Sequence, residues 1–254
     1  MTPRRFPRAS WWVLGGAAYL AYAAASLQID WGRAAKGVAR GAAFAAALLH
    51  PDFASRWGEI LEGLGESLAM TVLATAAGTL LSVPVAFGAA RNISPLPVYL
   101  ACRAVVVLAR SFHELIVAIF FVVLVGFGPL AGVLTLAFAT VGFTGKLLAE
   151  AIEEVAGAPV EALRSAGAGP LQVIRFAIVP QVVPRFVGLT AYRLDINFRE
   201  SAIIGVVGAG GIGATLNTAF DRYEYGVAGA ILLTIVALVL AGETLSGAAR
   251  RRLS

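Results

Sequence analysis

The chain has 254 residues, of which 59% are hydrophobic and 14% charged, with a mean hydropathy of +0.81. An ordinary soluble domain is about 45–50% apolar and about 25% charged, so a typical water-soluble globule is excluded. The net charge of +5 does not point to nucleic acid, because the arginines fall mainly between hydrophobic blocks, where basic residues set membrane orientation. The single cysteine, Cys102, cannot close an intrachain disulfide, and no Cys/His cluster has zinc-site spacing, so no metal is expected.

Six apolar blocks follow one another: Trp11 to Ile29, Leu68 to Ala90, His113 to Phe127, Pro129 to Leu148, Gln181 to about Gly205, and Gly226 to Leu245. A membrane helix needs about 20 mostly apolar residues, so the blocks predict an all-α, polytopic bundle of about six transmembrane helices. Barrels instead show strands of about ten alternating residues. The first block follows Arg4, Arg5 and Arg8 and ends in Ala23-Ala24-Ala25, a pattern shared with cleaved secretory signals. Its 19 apolar residues favour a retained helix.

With a cytoplasmic amino terminus, six crossings put residues 91–112, 149–180 and 246–254 on the cytoplasmic side. That side and its block ends then carry thirteen basic residues against five on the other, with Arg193 and Arg199 inside a block. This asymmetry obeys the positive-inside rule and puts both termini in the cytoplasm. Asp30 to Ser67 then faces outward with an amphipathic, interfacial character. Pro95 to Arg110 reads as an interfacial or half-inserted helix, since Arg103 and Arg110 argue against a clean crossing. The expected division is an N-terminal membrane helix with an outward amphipathic segment over 1–66, and a transmembrane domain over 67–254.

Glu150 to Pro180 is the longest polar interruption between the later blocks. Its glycines and prolines predict two short helices with a turn between them. Within it, Glu161-Ala162-Leu163, Gly167 and Ala177-Ile178-Val179-Pro180 resemble the cytoplasmic motif of the permease subunits of bacterial ABC importers: E-A-A, three residues, G, nine residues, I-x-L-P. Leu163, Ala177 and Val179 stand where Ala, Ile and Leu are usual. Gly142 to Lys146, the Glu150 to Glu154 acidic cluster, Pro180 to Pro184, Tyr192-Arg193 and Val207 to Gly213 look more narrowly like the phosphonate-type permeases, which are related to the methionine-importer permeases.

The resemblance implies cytoplasmic coupling helices, in which Glu161, Ala162, Leu163, Ala166, Gly167 and Pro180 dock on a separate ATPase. It also implies the partners: two ATP-binding subunits, an extracytoplasmic substrate-binding protein, and a second permease copy. The chain would lie in the bacterial inner membrane, surrounded by lipid. It would carry no cofactor of its own, with ATP and Mg on the partner subunit, and would not be an enzyme. The implied cargo is a phosphonate or related phosphorus oxyanion. The alternatives are a permease for methionine or another small solute, or a stand-alone secondary transporter.

The fifth block carries charge. Ionisable groups at membrane depth cost about 2.5–3.5 kcal/mol each on insertion scales and face a bundle interior or water. Helical spacing puts Arg193, Asn197 and Glu200 on one face, which with Ser201 is expected to border the translocation path or gate; Asp195 and Arg199 form an i,i+4 structural pair on another face. Gly208, Gly210 and Gly213 spell G-x-G-x-x-G, yet they sit in an apolar membrane stretch rather than after a strand. With Gly211 they read as a glycine-rich break. His113-Glu114 reads as a polar pair at the membrane edge.

Overall fold

The computed structural model describes residues 9–27 and 30–253, with side chains excluded for residues 9, 10, 243 and 245–253. Among these residues every regular element is helical. The chain divides into two compact units, residues 1–49 and 50–254.

The first unit holds α1 (Ala9–Ser26) and α2 (Trp31–Leu48). α1 carries no charged residue. Asp30 caps α2 by accepting the Arg33 N–H at 2.9 Å, and Arg33, Lys36 and Arg40 share a face at spacings of three and four.

The second unit is built around α3 (Trp57–Ala89), α6 (Pro129–Glu153) and α9 (Val179–Gly205), with α4 (Leu96–Ser111), α5 (Glu114–Val125), α10 (Gly211–Asp221) and α11 (Tyr225–Leu253) around them. Among the described residues, four helical segments are long and apolar enough to cross a membrane: Trp57–Ala89, Pro129–Glu153, Pro170–Gly205 and Tyr225–Gly242. The total reaches six if each of two bent helix pairs counts as one span.

α3 begins eleven residues before the apolar block that marks it in the sequence. Its 33 residues reach about 50 Å at 1.5 Å per residue, well beyond a hydrocarbon core of about 30 Å. The amphipathic stretch expected over Asp30 to Ser67 is therefore three things in turn: α2, a short non-helical link, and the first turns of α3. In the link, Asp52 accepts from the backbone N–H groups of Ala54 and Ser55 at 2.9 and 3.0 Å and from the Ser55 hydroxyl. Arg56 ties the start of α3 to the α10–α11 turn through Glu224 at 2.8 Å.

Lipid is as apolar as leucine, so helices in a membrane associate by close packing rather than by escape from water. Small residues supply that closeness. A Cβ on Gly78 of α3 would come within 2.6 Å of the Thr140 Cβ and 2.8 Å of the Ala137 carbonyl oxygen on α6, so only glycine lets these backbones meet. Above and below this crossing lie two apolar cores. Met70, Ala74, Leu136 and Ile204 fill one; Ala89, Leu148, Ile152 and Ile178 fill the other.

The third apolar block departs from expectation. α5 has 12 residues, about 18 Å, and cannot cross alone. Gly126 and Gly128, at φ of +92° and +130°, end the helical run, and α4 joins α5 at a bend of 97°, the geometry of a broken span or a re-entrant loop. The cation that argued against α4 as part of a span is satisfied inside the protein: Arg103 donates to the Ala89 carbonyl and to Glu153, both at 3.0 Å.

Candidate functional site

Two places collect the residues singled out in the sequence. The first is the middle of α9, whose buried face meets α3 and α6. Asn197 is fully buried; its Nδ2 donates to Thr75 Oγ1 of α3 at 2.8 Å and to Thr140 Oγ1 of α6 at 3.0 Å. One amide thus fastens three helices. Arg193, 3% exposed, donates from Nε to Thr140 Oγ1 at 3.1 Å and from Nη2 to Glu200 Oε2 at 3.1 Å, and its guanidinium lies 5.5 Å from the Phe143 ring centroid. A cation taken out of water is tolerated only where such partners surround it.

Ser201, also fully buried, turns its hydroxyl back to the Phe198 carbonyl at 2.7 Å. The structure therefore brings Arg193, Asn197 and Glu200 into one network and leaves Ser201 bonded within its own helix. Asp195 and Arg199 pair at 2.8 Å on a more open face, where Asp195 borders α11 beside Leu238 and Gly242.

Arg193 also lines a cavity of about 380 Å³ whose other walls include Arg110, Ser111, His113, Glu114 and Phe143. His113 and Glu114 stand at the α4–α5 bend, where Glu114 opens α5 and the His113 ring caps it, Nδ1 accepting the Leu115 N–H at 3.3 Å. The pair expected at a membrane edge thus lies beside the buried arginine. Sequence reasoning missed Thr75, Thr140, Arg110 and this bend. Threonine inside an apolar helix reads as a residue bonded to its own backbone, as Thr140 also is to the Leu136 carbonyl at 2.6 Å, so nothing local announces a cross-helix role.

The second place is the loop after α6. α7 (Gly157–Ser165) and α8 (Pro170–Val173) are the two short helices, followed by a π-helical turn, Ile174–Ile178, that leads into α9. α7 buries none of its residues; Glu161, Ala162 and Ala166 are exposed and Leu163 is half-buried.

Gly167 explains its own spacing. At φ +81° it is the left-handed residue that closes α7: its N–H donates to the Arg164 carbonyl and the Ala168 N–H to the Leu163 carbonyl, each at 3.0 Å. That paired closure favours glycine because a Cβ is costly in the left-handed region. The base of the loop is fastened. Gln181 accepts the Ala156 N–H at 2.9 Å while donating to the Ala177 carbonyl at 2.8 Å, and Arg185 pairs with Glu154. Pro180 stands two residues after the π-helical turn, inside a helical run that continues from Pro170 to Gly205, and its missing N–H falls next to that widened turn.

The glycine-rich break separates α9 from α10. Gly208, Gly210 and Gly211 have φ of +92°, +80° and +71°, and Gly213 packs against α9 at Ala202. The start of α10 is held by side chains of α3: Glu66 Oε2 accepts the Gly211 N–H at 2.6 Å and Ser67 Oγ the Ile212 N–H at 2.9 Å. This is a helix-capping arrangement, with carboxylate and hydroxyl filling the donor positions. Among the described residues no group of three or more His, Cys, Asp or Glu side chains is placed to hold a metal ion.

Comparison with known proteins adds three findings. A family model described as "Binding-protein-dependent transport system inner membrane component" matches residues 82–254. The phosphite transport system permease protein PtxC of Stutzerimonas stutzeri is 45% identical over 83% of this chain and 76% of its own length; the phosphate-import permease protein PhnE of Mycolicibacterium smegmatis is 41% identical over 81% of this chain but only 39% of its own length. A chain of the MetNI methionine ABC transporter, in an inward-facing conformation, superposes with a TM-score of 0.64 at 26% identity, covering 77% of this chain and 96% of that one.

Proposed function

Because the chain belongs to the binding-protein-dependent transport system inner membrane component family, we propose that it is the permease subunit of an ATP-driven importer for phosphonate or a related phosphorus oxyanion. Two ATP-binding subunits, which bring ATP and Mg, dock on α7 and α8; a substrate-binding protein delivers cargo from the opposite side; a second permease copy completes the path. The chain lies in a bacterial inner membrane with both termini cytoplasmic, a placement supported by its thirteen-to-five division of basic residues.

The observation that carries this reading is the loop. An exposed apolar knob, Ala162 with Leu163 and Ala166, stands on a helix closed by Gly167 and anchored at Gln181, and that is what a rigid lever seated in another protein's cleft requires. Arg193 and Glu200 border the path, while Asn197 and Ser201 hold its back wall. The cation at that depth suits an oxyanion, to which a guanidinium offers paired donors, and the similarity to the phosphite permease supports a phosphorus oxyanion over methionine.

The test is purification in mild detergent with genomic neighbours co-expressed, then reconstitution into liposomes. ATP-dependent accumulation of labelled phosphite, phosphate or methylphosphonate, unaffected by excess methionine, is the expected result. Uptake that follows an ion gradient with no ATPase present would overturn the importer reading, and methionine uptake would overturn the cargo.

A further inference from the structure

The cavity at the α4–α5 bend mixes signs. Two guanidinium groups, Arg110 and Arg193, and one carboxylate, Glu114, share its wall, with His113 beside them. A site built only to attract anions has no use for Glu114, whose lone pairs repel any fully deprotonated oxyanion.

Chemistry separates the candidates. Near neutral pH phosphate, phosphite and alkylphosphonates can each retain an O–H, whereas sulfate has lost both protons. An acidic O–H needs an acceptor when it leaves water, and an unpaired polar group is penalised. Glu114, which lines the cavity and meets the Glu200 carboxyl of α9 at hydrogen-bond range, is such an acceptor through its remaining lone pairs. The bare oxygens need donors, and these are at hand. Arg193 spends Nε on Thr140 and one Nη2 hydrogen on Glu200, leaving further N–H groups; the stem of exposed Arg110 lies along Gly142, and its guanidinium is the second fork. In a neutral His113 ring whose Nδ1 accepts from Leu115, the proton sits on Nε2 as a third donor.

Resting on the oxyanion-importer reading above, we propose that this cavity is a transit site for phosphorus oxyanions that carry an O–H. Arg110 and Arg193 donate to the bare oxygens, and Glu114 accepts the P–OH and thereby rejects sulfate. Two cations set against Glu114 and the neighbouring Glu200 keep the field modest, which suits cargo that must leave as readily as it enters.

The test uses the full chain in lipid nanodiscs and equilibrium binding of labelled inorganic phosphate, with phosphite and sulfate as competitors. Wild type is expected to be displaced by phosphite and not by equimolar sulfate. Glu114→Gln should narrow the phosphate-over-sulfate preference by about tenfold, the size set by relieving one mismatched polar contact at a half-buried carboxylate. Arg110→Ala, at an exposed position, should weaken both anions together and leave the preference in place. Equal competition by sulfate in wild type, or a preference unmoved in Glu114→Gln, overturns the site. ATP-driven uptake in liposomes that hold the chain together with its co-expressed ATPase separates the two ideas: uptake without the binding preference sinks this cavity alone, and the preference without uptake sinks the importer.

Discussion

The α9 network and the α7–α8 loop use similar small and charged side chains to opposite ends. Arg193, Asn197, Thr140 and Thr75 are buried and hydrogen-bonded to one another across three helices, so each has its partner inside this chain. Glu161, Ala162 and Ala166 stand in the open on a helix that buries nothing. The first arrangement is braced across three helices of this chain and stiff, with only part of Arg193 left over for a visitor; the second is rigid only at its base and has its contacts still to make. Substitution should therefore damage folding in one region and function without folding in the other.

That contrast can be broken or sharpened experimentally. The largest effect is expected from Arg193→Ala, which strands Glu200 without its cation. Stability in detergent should fall by about 3 kcal/mol by chemical denaturation, as for other buried pairs that lose one member, and uptake should be abolished. Gly78→Val follows. Its side chain would collide with Thr140 and the Ala137 carbonyl, and overpacking of this kind costs about 1–3 kcal/mol, visible as a lower melting temperature. Ala162→Asp should shift stability by less than about 0.5 kcal/mol while abolishing copurification of the ATPase; a large loss of stability would erase the distinction between the two regions.

The smallest effect concerns the link before α3. Bonds from the Ser55 hydroxyl and backbone, with the Ala54 N–H, hold the Asp52 carboxyl below its ordinary value of 3.8. A depressed carboxyl stabilises the fold above its unfolded pKa and loses that contribution as pH falls through the folded one. Protection factors over residues 52–56, exchange rates corrected for the intrinsic pH dependence, should thus fall on acidification below about pH 4, and Asp52→Asn should remove that fall.

Much of the architecture was legible because oily length is a strong signal. The blocks at Pro129 and Gly226 begin within one residue of their helices. The two short helices were legible too, since glycine and proline punctuate them, and Gly167 sits at the left-handed closure its spacing implies. Arg193 was conspicuous as a charge in an apolar run. Its partner Thr140 lies 53 residues away, and no local pattern connects them. The bend was illegible for a different reason. Arg103 and Arg110 made α4 read as an interfacial or half-inserted helix, and the groups that satisfy Arg103 are brought from α3 and α6 only after folding.

The bend itself constrains what can surround it. When α4 stops at Ser111, the carbonyl groups of its last turn lose the amides that would have followed, and hydrocarbon cannot replace them. This stretch of backbone must stay hydrated. Ser111→Leu would both crowd the hollow and remove the hydroxyl that answers the Val107 carbonyl at 2.7 Å, so the interruption ties the bundle to polar company at that level.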